Sequence, residues 1–164
     1  AGNFEVRYVA RGYSANDKDY AASGVLARII ETRLREKTPA EFRSGVHVRS
    51  EGRTLPGIIV IGMSGVSSPS VEAKIDADEM VSAAIHARIT DSEFNTAKSA
   101  FSDEWNRRDP VDRWLDLDTY KMVTLGAQNQ TVTGLTVADV QRAADILAAK
   151  DVAVVVVSTP TGSE

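Results

Sequence analysis

The sequence predicts an α+β fold, a two-layer sandwich in which a mostly antiparallel sheet carries its helices packed on one face. Three observations predict it. Apolar residues alternate with a period of two in short runs and recur with a helical period in longer ones. The runs follow the order strand, helix, strand, strand, two or three helices, helix, strand. The second and third strands are joined by a turn with no helix between them, which makes a hairpin and argues against a doubly wound parallel sheet.

Residues 4–10 alternate, with Phe4, Val6 and Tyr8 on one face and Glu5, Arg7 and Val9 on the other. Gly12 and residues 14–17 read as a loop. From Asp19 to about Arg35 the period becomes helical, and Ala22, Val25, Leu26, Ile29, Ile30 and Leu34 form an apolar stripe. Arg28, Glu31 and Arg33 read as its solvated face, and Arg35 as either a functional cation or a charge that suits the helix C-terminus. Pro39 ends the helix and favours an extended approach to the next element. Residues 42–49 alternate as a strand with Phe42, Ser44, Val46 and Val48 on one side, and a turn at residues 51–53 leads past Pro56 into the more apolar strand at residues 57–63.

Residues 62–70, rich in glycine and serine, read as a strand exit and hinge. Ser68 and Pro69 fit the cap and first position of a helix that runs to about Arg88 and buries Val71, Ile75, Val81, Ala84 and Ile85. Thr90 and Glu93 have capping-box spacing, so a fresh helix starts there, with Phe94, Ala97, Phe101 and Trp105 as apolar members. Asp109-Pro110 starts another, to which Val111, Trp114, Leu115, Leu117 and Val123 give apolar surface for packing. Gly126 and residues 128–131 read as a loop, and Thr136 with Asp139 opens a helix that buries Val140, Ala143, Ala144 and Leu147. Residues 152–157 suit a buried strand, and residues 161–164 a frayed tail. No repeat, heptad run or linker interrupts the chain, so residues 1–164 read as a single domain. The abrupt start at Ala1-Gly2-Asn3 is compatible with a domain cut from a larger protein.

Composition narrows the functions. A chain of 164 residues with 43% hydrophobic content builds a sizeable core. A net charge of −4 and only 6% aromatic residues argue against nucleic-acid binding, which calls for a basic stripe or stacking platforms. The absence of cysteine excludes disulfides, thiol catalysis and cysteine-based metal sites, and it leaves the compartment open between cytoplasm and periplasm. No apolar run is long enough for a membrane-spanning helix.

The chemistry-bearing residues are sparse. His47 sits on an alternating strand, opposite the face of Val46 and Val48, and His86 sits near a helix end. Neither begins HExxH or HxxEH, which place two imidazoles one helical turn apart for zinc. The glycine-rich stretch lacks the GxxxxGK[ST] order of a phosphate loop, and Ser64 is not a GxSxG nucleophile. The carboxylates at residues 76–79 and 109–118 read as solvated helix faces. Trp105 and Trp114 read as core material, with an interface anchor rimmed by residues 106–109 as the alternative.

Four ordered segments carry a resemblance. Leu34-Arg35-Glu36-Lys37 followed by Thr38-Pro39-Ala40-Glu41-Phe42-Arg43-Ser44 is similar to the LREKxGLAYS pattern of M16 zinc metallopeptidases, the pitrilysin and mitochondrial-processing-peptidase family. Thr38-Pro39 stands where that family has a glycine turn, and Phe42 where it has tyrosine. Residues 89–98 resemble the family's ithxELxxAK helix start, residues 135–144 its lTxxDVxxxA element, and residues 152–157 its terminal strand.

The resemblance implies a carboxy-terminal, non-catalytic domain that lacks the HxxEH zinc site, forms chamber wall and contacts peptide. It implies no cofactor in this chain and zinc in an accompanying, homologous active domain or subunit. Arg35 and Phe42 are the substrate-binding residues it implies, Arg35 as a charged donor and Phe42 by packing alone, since it has no hydroxyl. Two other readings stay open: a degenerate structural or assembly domain, and an unrelated α+β enzyme with a histidine-containing pocket.

Overall fold

A computed structural model describes the backbone of residues 2–52, 55–67, 70–121, 124 and 127–160. Strand β1 (Gly2–Arg11) leads into helix α1 (Tyr20–Lys37), a 3-10 helix (Ala40–Gly45), β2 (His47–Glu51) and β3 (Ile58–Ser67). Helices α2 (Ser70–His86), α3 (Asp91–Arg107), α4 (Pro110–Thr119), α5 (Ala127–Gly134) and α6 (Val137–Ala148) follow, and β4 (Ala153–Pro160) closes the sheet. The strand order is β2-β3-β1-β4, and every neighbouring pair is antiparallel. Helices cover one face, as the patterning predicts.

The core lies between that face and α1. Val6, Tyr8 and Ala10 of β1, Val48 of β2, and Ile59, Ile61 and Met63 of β3 point inward at alternate positions. They meet Leu26, Ile29, Ile30 and Leu34, each of which is fully buried and contributes about 1.5–3 kcal/mol of apolar transfer. All six residues of the predicted α1 stripe are buried. Helix α6 presents the predicted Val140, Ala143, Ala144 and Leu147 to α1 and α2. The predicted capping box at Thr90 forms, with Thr90 accepting from the Glu93 amide at 3.2 Å, and the helix start at Thr136 is closed by a second one, with Thr136 accepting from the Asp139 amide at 3.3 Å.

Five readings are corrected. First, residues 42–45 are not strand but part of the 3-10 helix, held by the Phe42 amide on the Pro39 carbonyl (3.0 Å) and the Val46 amide on that of Arg43 (3.2 Å). At Gly45 the chain passes so close to Ser64 that a Cβ would meet the Ser64 carbonyl oxygen, so the end of the 3-10 helix requires glycine there. Second, the glycine-rich stretch to Ser67 continues β3, because β1 is long enough to pair with it from Arg11↔Ile58 to Gly2↔Ser67. Third, α5 replaces the loop expected at residues 128–131. Fourth, β4 is an edge strand, with exposed valines where a buried strand was expected. Fifth, α4 has no buried residue, so Trp114 is not core. The expected cap at Ser68 and Pro69, the burial of Val71 and Ile75, the packing of Val123, the Gly126 turn and the tail at residues 161–164 lie outside what is described.

Arg33 is a further departure. Placed on the solvated face by pattern, it is 8% exposed. Its guanidinium donates to the carbonyls of Ala84 (2.7 Å), Ala87 (2.9 Å) and Arg88 (3.0 Å), at the end of α2. It also pairs with both carboxylate oxygens of Glu93, at 2.6 and 3.0 Å. One side chain thus satisfies the open carbonyls of α2 and binds the first turn of α3 to α1.

Candidate functional site

A groove of about 600 Å³ opens between the outer side of α1, the edge strand β2 and the second half of α3. Helical spacing puts Arg28, Glu31 and Arg35 of α1 along one wall. Strand β2 supplies the opposite wall with His47, Arg49 and Glu51, and α3 closes it with Phe101, Glu104 and Trp105. Gly24 lets α1 and α3 approach, since a Cβ there would sit 2.7 Å from Cζ of Phe101.

Most charges in the groove are mutually engaged. Glu31 accepts from Arg35 at 2.6 Å and lies 3.8 Å from Arg28, which also pairs with Glu104 across the groove. Arg35 reaches from α1 to the foot of β2, donating to the Val46 carbonyl from Nη2 at 3.1 Å and Nε at 3.4 Å. Its side chain stays 48% exposed, so part of the guanidinium still faces solvent. Arg49 is exposed and, among the described residues, has no partner. The His47 ring lies over Gly62, where any Cβ would strike it, and it too has no hydrogen-bond partner among the described residues.

A second cavity of about 290 Å³ continues the groove past Tyr20, Ser50, Trp105 and Arg108 to Asp116 and Tyr120. Arg108 stacks over the Trp105 ring at 4.9 Å and bonds Asp116 at 2.7 Å, which fastens α4 to the body. The Trp105 indole N–H is buried and unpartnered among the described residues. Burial raises the Tyr20 phenol above its ordinary pKa.

Arg35 and Phe42 are not brought into one cavity. Arg35 lines the groove, whereas Phe42 is half-buried on the 3-10 helix, outside the linings of the groove and of the cavity beside it. The two histidines also stay apart: His47 lines the groove, and His86 lines a separate apolar cavity under β1 and β4. His86 is exposed and donates from Nδ1 to the Ser82 carbonyl at 2.8 Å. Among the described residues no three His, Asp or Glu side chains are grouped to hold a metal. The Arg28, Glu31 and Arg35 wall was legible from helical spacing. The α3 residues opposite it were not, because nothing local says which helix packs beside α1.

No family model matches the sequence, and no curated protein matches it. Solved structures do match. The chain is similar to the inactive peptidase domain of a zinc protease candidate from Bordetella parapertussis, with a TM-score of 0.76 and 19% identity over 97% of this chain and 95% of that one. It is similar to a peptidase M16 inactive domain from Pseudomonas fluorescens, with a TM-score of 0.74 and 17% identity over 100% of this chain and 42% of that one. A third similarity is to the periplasmic protease PqqL from Escherichia coli, with a TM-score of 0.65 and 15% identity over 87% of this chain and 17% of that one. The sheet and its one-sided helix layer therefore have the fold of M16 peptidase domains. The chain spans less than half the length of the last two.

Proposed function

We propose that residues 1–164 form a non-catalytic domain or subunit of an M16-like zinc peptidase, which builds chamber wall and helps bind peptide substrate. The observation that carries this reading is the unpaired edge of β2 beside the charged groove. Strand β2 pairs with β3 alone among the described residues, so an extended peptide can add along its other edge. Arg49 and the solvent-facing part of Arg35 then meet carbonyl or carboxylate oxygens of the peptide. Phe42, on the 3-10 helix outside the groove, would add apolar contact only to a peptide that runs on past that helix. A homologous zinc-bearing domain or subunit is the partner, and zinc held there would supply the Lewis-acid chemistry of peptide hydrolysis. No helix among the described residues is long and apolar enough to cross a membrane. A cytoplasmic and a periplasmic setting both accommodate the role.

One observation favours the degenerate, purely structural reading. Arg35 is already engaged by Glu31 and the Val46 carbonyl, which is what a residue that only ties α1 to β2 would show. Fluorescence anisotropy of labelled, unfolded peptides titrated with the purified chain separates the two. Peptide capture that weakens in Arg35→Ala and Arg49→Ala, with unchanged thermal melts, is the expected result. No binding by the wild type, or equal binding by both variants, would leave only a structural role. Zinc-dependent cleavage by the chain alone would contradict its non-catalytic status.

A further inference from the structure

The two edges of the sheet differ in chemistry. Strand β2 carries His47, Arg49 and Glu51, the kind of polar edge that discourages strand addition by another folded sheet. Strand β4, at the opposite edge, has no charged residue from Val152 to Pro160. It pairs with β1 from Gly2↔Pro160 to Val9↔Ala153, and among the described residues nothing pairs with its other side. Val155 and Val157 on the open face are 50% and 52% exposed. Val154 and Val156 on the helix side are 39% and 37% exposed, because the helix layer stops short of this strand. A cavity of about 240 Å³ lined by Tyr8, Ile85, Leu147, Val152 and Val154 opens beside it.

We propose that β4 is a self-complementary edge on which a second copy of this chain adds its own β4, antiparallel, about a two-fold axis perpendicular to the sheet. Such an axis keeps the faces in register. Helix-side valines of one copy lie beside helix-side valines of the other, and the two apolar cavities open toward one another. With the axis at Val155, Val154 faces Val156 and Ala153 faces Val157, so every central pair is apolar and no like charges meet. Lys150 falls opposite Pro160, and the missing proline N–H lies outside the apolar run. The outer edges of the doubled sheet are then both β2, whose charges stop further growth, so the assembly closes at two copies. The groove beside β2 stays open, and the association does not depend on what that groove binds.

The test uses sedimentation equilibrium over a concentration series of the whole chain. Wild type is expected to show a monomer–dimer equilibrium. In Val155→Glu the new carboxylate sits opposite Arg7 in its own sheet but opposite itself across the axis, so the fold persists by circular dichroism while the dimer weakens at least about tenfold. Because the chain has no cysteine, single variants Val154→Cys, Val155→Cys and Val156→Cys report the register: at least one should oxidise to a covalent dimer, and Trp114→Cys should not. A wild type that stays monomeric at every concentration overturns the proposal and assigns β4 to another chain or segment. A dimer that survives Val155→Glu, or that crosslinks through position 114 alone, overturns it in favour of another surface.

Discussion

Arg33 offers the sharpest test of how the helix layer is held. Arg33→Ala removes five hydrogen bonds, two to Glu93 and three to the carbonyls that end α2. Deleting one partner of a buried ion pair costs about 3–5 kcal/mol, because the other is left without its counter-charge. The Glu93 side chain is 30% exposed and keeps its bonds from the Thr90 amide (2.9 Å) and hydroxyl (2.8 Å). Solvent and those bonds place the loss at the low end, about 3 kcal/mol. Urea denaturation at neutral pH reads it as a lower midpoint at unchanged slope. Arg33→Lys keeps the charge but not the planar fork, and loses about 1–2 kcal/mol. Adding Glu93→Gln to Arg33→Ala should cost less than the sum of the two single changes. An Arg33→Ala midpoint equivalent to within about 0.5 kcal/mol of wild type would refute the reasoning, since that is the range of an ordinary surface substitution.

The same contact gives a pH signature: hydrogen bonding from Arg33, chiefly, pulls Glu93 from its ordinary 4.5 down to about 2. A depressed carboxylate contributes stability that is fully present above pH 4.5 and is lost as pH falls through about 2, so melting temperature should fall more steeply across that window in wild type than in Arg33→Ala. Trp114→Ala, on the unburied α4, should change stability by no more than about 0.5 kcal/mol, whereas Leu26→Ala, in the fully buried stripe of α1, should cost about 2–5 kcal/mol by the same urea titration. Gly57→Ala should destabilise by about 1–3 kcal/mol, because its Cβ would strike the Glu51 carbonyl where the β2–β3 hairpin closes; an unchanged midpoint would mean that the hairpin opens freely.

Local patterning was enough for the layer architecture. The α1 stripe, the two capping boxes and the alternating face of β1 depend only on residue spacing, and spacing survives into the fold because each element must bury its own apolar side. The same rules failed where the deciding contact is distant in sequence. Residues 42–45 alternate like a strand, but the chain forms a 3-10 helix there and brings Gly45 against Ser64, nineteen residues away. Arg33 reads as a solvated charge until α2 and α3 bring five acceptors around it.

The groove divides in the same way. Arg28, Glu31 and Arg35 share a helix face by spacing alone, but only packing puts Glu104 and Trp105 across from them and leaves Phe42 elsewhere. Residues 152–157 show the limit most plainly. Their composition determines a strand and its apolar character, yet whether that strand is central or at an edge depends on the order β2-β3-β1-β4. Strand order is a property of the assembled sheet: hydrogen bonds between distant segments set it, and no residue's own preference encodes it.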